Sequence, residues 1–186
     1  MTGSVVRPGR NPADAPRLSD HDRAASHTTI SRTAFALGFA GLLPALATLA
    51  AMLLGERDAA VAGLAYALLI LSFLGGMWWG LAMRRAPARQ APLVAAAVVP
   101  SLAAAAILAG GLFLARLDWP LVATGCAILL TPLVDRRLVA RGDAPADWMR
   151  LRVPLSVGLG GAAIVMGGAG GALSGRRTNV SAIILP

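Results

Sequence analysis

The chain has 186 residues, 56% of them hydrophobic, and its seventeen basic residues, all arginine, outnumber nine acidic ones to give a formal net charge of +8. A mean hydropathy of +0.67 is high for a soluble chain, and it places the protein among membrane proteins. The pI near 11.6 would suggest nucleic acid in a soluble protein, but every arginine lies outside the apolar runs and no single basic face results, so no nucleic-acid partner is expected.

Residues 1–34 are rich in Arg, Pro, Asp and Ser with almost no large apolar side chain. Such a segment buries too little surface to offset ordering entropy, and it is expected to be a disordered cytoplasmic tail. Asp14, Asp20 and Asp22 argue against a transit peptide, and the apolar run that follows is longer than the core of a secretory signal. His21 and His27 sit in this tail with no cysteine or carboxylate cluster beside them, so they are read as solvated and no metal site or cofactor is expected.

Five apolar runs without a charged residue follow, at 35–54, 59–83, 91–115, 119–134 and 153–173. Helices that are apolar all round belong in a core or in lipid, and a hydrocarbon layer about 30 Å thick needs roughly 20 residues of helix. The expected fold is therefore all-α, a polytopic integral membrane bundle of five transmembrane helices at about 35–54, 59–83, 91–115, 117–134 and 153–173, ending in a short tail at 174–186. The fourth run is the shortest, its sixteen residues spanning only about 24 Å, with Arg116 and Arg136 able to snorkel outward from its ends. Pro44 and Pro100 fall inside the first and third runs, where each is expected to kink its helix; Ser101 is placed to re-satisfy a freed carbonyl.

The arginines mark the loops. From the N-terminus they number five, one, three, one, five and two, so alternate loops carry thirteen against four. Positive charge is retained on the cytoplasmic side, which predicts a cytoplasmic N-terminus and an external C-terminus. Trp78, Trp79, Trp119 and Trp148 all fall near predicted interfaces, where an indole satisfies both its ring and its N–H.

Constellations that carry chemistry are mostly missing from the sequence. Cys126 stands alone in mid-run and is read as a small packing residue; no phosphate loop, nucleophile elbow or zinc-binding H-E-x-x-H occurs. Asp118 and Asp135 flank the fourth run and are expected to be interfacial charges paired with Arg116 or Arg136. The hydroxyls of Thr48, Tyr66, Ser72, Ser101, Thr124, Thr131 and Ser156 are expected to bond a carbonyl one turn back or to bridge helices.

The sharpest local signal is Ser72-Phe73-Leu74-Gly75-Gly76-Met77-Trp78-Trp79-Gly80. Ser72, Gly76 and Gly80 recur every four residues and form a shallow groove on one helix face, with Ala163, Gly167 and Gly171 of the fifth run as a complementary ridge. The helix-packing motif expected from this stretch comprises Ser72, Gly75, Gly76, Trp79 and Gly80. Packing within the chain is the first expectation, with homodimerisation and a ligand-lining role as the other uses of such a groove.

Leu37 to Pro44, Ser72 to Gly80, Val99-Pro100-Ser101, and Asp135-Arg136-Arg137 with Trp148 and Arg150 to Pro154, in that order, resemble a family of small membrane proteins called domain of unknown function 3429, of which transmembrane protein 69 is a member. The resemblance covers about residues 35–157, and its most specific piece is the stretch containing Ser72, Phe73, Leu74, Gly75, Gly76, Trp79 and Gly80. It implies the fold class and, since the family is found in bacteria, residence in the bacterial inner membrane, and it brings no activity, substrate or cofactor. The expected function is a non-enzymatic membrane assembly or interaction component, its partners the lipid bilayer and other membrane proteins or a second copy. The alternative is a carrier or pore for a neutral or lipidic molecule. An enzyme acting on lipid would rest only on Asp135, Arg136 and Arg137, and no catalytic residue is assigned.

Overall fold

The computed structural model describes the backbone of residues 30–56 and 58–184, and the side-chain surroundings of residues 30–56 and 58–170. The expectations for the tail before residue 30, including His21 and His27, for Arg57, and for the surroundings of Gly171 fall outside the described residues. Six α-helices and one short 3-10 turn make up the described chain: α1 (Arg32–Ala40), α2 (Leu43–Leu53), α3 (Ala59–Met83), the turn Pro87–Arg89, α4 (Ala91–Leu114), α5 (Asp118–Ala140) and α6 (Trp148–Ile184). Four stretches, Arg32–Leu53, Ala59–Met83, Ala91–Leu114 and Trp148–Gly170, are long and apolar enough to cross a membrane.

The first run begins where Ser31 caps α1, its hydroxyl accepting the Ala34 N–H at 3.1 Å. It then breaks at Gly41 and Leu42, and Pro44 enters in the first turn of α2. Proline has no N–H to give the carbonyl four residues back, which here is Ala40, so the helix is interrupted at this point. Beside that break the Tyr66 hydroxyl of α3 bonds the Gly41 carbonyl oxygen and so ties α3 to the junction of α1 and α2. Pro100, by contrast, sits within an unbroken α4. There Ser101 meets the Ser72 hydroxyl at 3.0 Å and so bridges two helices instead of patching the gap that proline leaves.

The helix over the fourth run is much longer than its apolar stretch. α5 continues through Asp135, Arg136 and Arg137 to Ala140, and its 23 residues extend about 35 Å at the helical rise. Hydropathy falls at Asp135, but the helix does not end there, because that carboxylate is wholly buried and its charge is met by other helices. The same charges, with Pro120 and Pro132, keep α5 out of the set apolar enough to be recognised as a span.

α3 occupies the centre and touches α2, α4, α5 and α6, whereas the most extensive pairing is between α5 and α6. Leu64, Leu68 and Leu71 of α3 pack with Leu121 and Ile128 of α5 and with Leu159 and Met166 of α6 in one core. A second cluster, built on Trp78, Ala82, Leu93, Ala97 and Leu138, lies toward the arginine-rich end. At that end Arg85 reaches across to Asp143, with Nε to Oδ1 at 3.0 Å and Nη2 to Oδ2 at 2.5 Å, tying the α3–α4 connection to the α5–α6 connection.

The α5–α6 seam depends on glycine. A Cβ on Gly125 would lie 2.6 Å from the Gly160 carbonyl oxygen, one on Gly160 would lie 2.8 Å from the Gly125 carbonyl oxygen, and one on Gly167 would lie 2.5 Å from the Asp118 carbonyl oxygen. The ridge containing Ala163 and Gly167 therefore belongs to a different partner from the one expected. Gly167 faces α5, whereas the Ser72-Gly76-Gly80 face of α3 lies elsewhere. The cause is connectivity: a short loop makes α5 and α6 antiparallel neighbours, and their small faces meet first.

Candidate functional site

Four side chains converge where α3, α5 and α6 come together. Asp135 of α5 has no exposed surface and accepts the Trp78 indole N–H on Oδ1 at 2.9 Å and Arg152 Nε on Oδ2 at 2.7 Å. Arg152 Nη2 donates to Thr131 Oγ1 at 3.1 Å, and Thr131 in turn donates to the Ile128 carbonyl oxygen at 2.8 Å. That last bond has a local cause. Pro132 lacks the N–H that would bond the carbonyl four residues back, which is Ile128, and the hydroxyl beside it takes over. Thr131 thus works in both senses expected of a membrane hydroxyl, patching one helix and bridging to another.

Asp135 departs from its expected pairing. Asp135 and Arg136 are adjacent on a helix and point about 100° apart, so they face different surroundings. Arg136 and Arg137 are exposed, whereas Asp135 points inward to Arg152, seventeen residues along the chain. Asp118 does make its expected pair with Arg116, Nη2 to Oδ2 at 2.5 Å, at the opposite end of α5. Trp78 departs as well: its ring is 4% exposed and serves as a donor inside the bundle, whereas Trp79 is 46% exposed. The indole N–H groups of Trp119 and Trp148 and the hydroxyl of Ser156 are buried without a partner.

The motif on α3 is divided between two faces. Gly75 turns inward, and a Cβ there would stand far inside contact distance of the Ala97 carbonyl oxygen and 3.4 Å from Pro100. Ser72 bridges to Ser101 on the same helix, α4. Gly76 and Gly80 turn outward, exposed, with nothing within 4 Å of a Cβ built on either. The close contact within the chain therefore belongs to Gly75, and the expectation that Gly76 and Gly80 pack against another helix of the same chain is corrected. The reason is geometric: Gly75 and Gly76 are one residue apart and differ by about 100° in direction, so only one of them can meet α4.

Two outcomes follow for stability. Gly75→Ala should lower the thermal aggregation midpoint of the detergent-purified protein, because overpacking against a backbone carbonyl costs about 1 to 3 kcal/mol or more. Gly76→Leu, measured where the chain is monomeric, should leave the midpoint unchanged. The reverse order would refute this placement of α3. For the buried pair, Arg152→Met alone leaves a buried carboxylate without its cation and is expected to cost about 3 to 5 kcal/mol, while adding Asp135→Leu should recover much of that loss. A double variant no more stable than Arg152→Met would mean that the two side chains are not energetically coupled.

No curated protein and no solved structure matches the chain. The sequence model of a family described as protein of unknown function (DUF3429) matches residues 30–167. That region contains every residue of the Trp78, Thr131, Asp135 and Arg152 network and all of the α3 motif. Since the match covers well over half of the 186 residues, the chain belongs to the DUF3429 family of proteins of unknown function.

Proposed function

We propose that this chain is a multi-pass protein of the bacterial cytoplasmic membrane that crosses the bilayer five times, N-terminus inside and C-terminus outside, and serves as a non-enzymatic assembly component. Its docking surface is the outer face of α3, and the occupant we favour is a second copy of the chain. The observation that carries this reading is that Gly76 and Gly80 lie open while Leu69 and Phe73 beside them are 68% and 67% exposed. Small residues every four positions, set beside bulky apolar ones, form the kind of surface on which two identical helices approach closely in lipid. Gly75 is packed flat on α4 and Gly76 is on the outside, so no observation at either glycine favours the carrier reading.

Five crossings are supported by the ends of the helices. The Arg85–Asp143 pair joins the start of the α4 segment to the end of α5, while the Arg116–Asp118 turn lies at the far end of both. α4 and α5 have 24 and 23 residues, so a bilayer deep enough to need one of them is matched by the other. Loop arginines, thirteen against four, favour the end with Arg85 as the cytoplasmic one.

Topology is tested with a reporter active only outside the cytoplasm. A fusion after Leu173 should be active and a fusion at Gly142 silent; the reverse at both sites would overturn the orientation, and silence at both would remove α5 from the spans. Docking is tested by crosslinking between differently tagged copies in native membranes. Gly76→Leu should reduce the crosslinked fraction by about tenfold, since a close helix contact cannot accept the added side chain. A wild-type chain that never crosslinks to its own copy would refute self-docking.

A further inference from the structure

A basin of about 670 Å³ opens at the end of the bundle where α3 stops and α4 begins, lined chiefly by Arg84, Arg85, Arg89, Arg141, Asp143 and Pro92. We propose that it binds a phosphate group, and specifically the head of an anionic phospholipid. Arg85 forms its fixed wall. Asp143 holds that guanidinium by two bonds and raises its pKa above the ordinary value, Arg85 Nη1 reaches the Arg89 carbonyl oxygen at 3.4 Å, and Gln90 donates to the Arg85 carbonyl oxygen at 2.9 Å. Arg84, Arg89 and Arg141 are exposed and pair with no carboxylate among the described residues. Four guanidinium groups therefore face one carboxylate, and the uncompensated charge is concentrated on one concave surface.

Sorting of arginine to one side of the membrane does not require this arrangement. Arg136, Arg137 and Arg150 lie toward the same end of the bundle, and none of them lines the basin. Convergence comes instead from the Arg85–Asp143 bond, which draws two loops together so that Arg141 from one faces Arg84 and Arg89 from the other. The depth also fits. Arg84 directly follows the last residue of α3, and Pro92 lies in the first turn of α4, so the basin sits where apolar helix gives way to loop, the level of lipid phosphates. Guanidinium groups match phosphate oxygens in pairs, and the apolar rim of Ala86, Ala88 and Pro92 suits the glycerol end of a lipid better than a fully hydrated ion.

The test uses the full chain purified in a neutral detergent, with ligand retention followed by native mass spectrometry and by the thermal midpoint. Dioleoyl phosphatidylglycerol should bind and raise the midpoint, dioleoyl phosphatidylcholine should not, and added sodium chloride should weaken the effect. Arg89→Gln with Arg141→Gln, which leaves the Arg85–Asp143 pair intact, should weaken phosphatidylglycerol binding about 25-fold, at roughly fivefold per guanidinium. Arg136→Gln with Arg137→Gln removes the same charge from outside the basin and should bind like wild type. Sodium phosphate that competes with the lipid and depends on the same arginines would support the site and assign it to free phosphate. Equal weakening by both double variants, or none by the first, would overturn the proposal.

Discussion

A carboxylate with no access to solvent must be met by protein groups, and around Asp135 those groups come from two other helices. Trp78 brings α3 and Arg152 brings α6, each at hydrogen-bonding distance, so the relative height of the three helices is set at this point. Apolar packing alone would not do this, because a helix can slide along an apolar neighbour in lipid at little cost. Polar groups with fixed donors and acceptors cannot slide without losing a bond where no water replaces it. The rest of the bundle follows from that register. With α5 and α6 aligned at Asp135 and Arg152, Gly125 falls opposite Gly160, and Gly167 opposite the backbone at Asp118.

Glycine then sets how closely the aligned helices approach. In α5, α6 and α3 the glycines that matter face a backbone carbonyl, where a side chain has no room to turn away. The α3–α4 contact shows the interplay of residue types. Gly75 accepts the Ala97 carbonyl, Pro100 fills the space beside it, and Ser72 with Ser101 closes the contact by a hydroxyl pair. The carbonyl that Pro132 leaves without a donor is met by a hydroxyl of the same helix, Thr131 at Ile128, while Tyr66 of α3 bonds the Gly41 carbonyl where the first run breaks.

The two charged arrangements at the arginine-rich end differ in kind. Asp135 and Arg152 are buried and bonded to each other, so they hold helices together. Arg85 and Asp143 are nearer the surface and hold loops, and by doing so they gather further arginines that have no carboxylate of their own. The first arrangement gives the bundle its register; the second gives it a concave surface of excess positive charge. The open face of α3 is a third element, apolar and small, on the side of that helix turned away from both.

The sequence alone determined the helices of the second and third runs, because an apolar run of bilayer length reads directly as one helix. The first run instead divides into α1 and α2, and α6 spans Trp148–Ile184 where hydropathy predicts a helix at 153–173 and a tail at 174–186. The run at 59–83 coincides with α3 and the run at 91–115 with α4 to within a residue, and the family was legible in Ser72 to Gly80. It also showed which residues were small enough for close contact. Tertiary structure decided which small residue meets which helix, since Gly75 and Gly76 are alike in sequence and differ only in direction. It likewise decided that α5 continues past its apolar stretch, because Asp135 finds its cation seventeen residues away rather than beside it. Hydropathy reads each residue as if it faced lipid or water. A charge buried against another helix faces neither, and only the packed bundle shows where it lies.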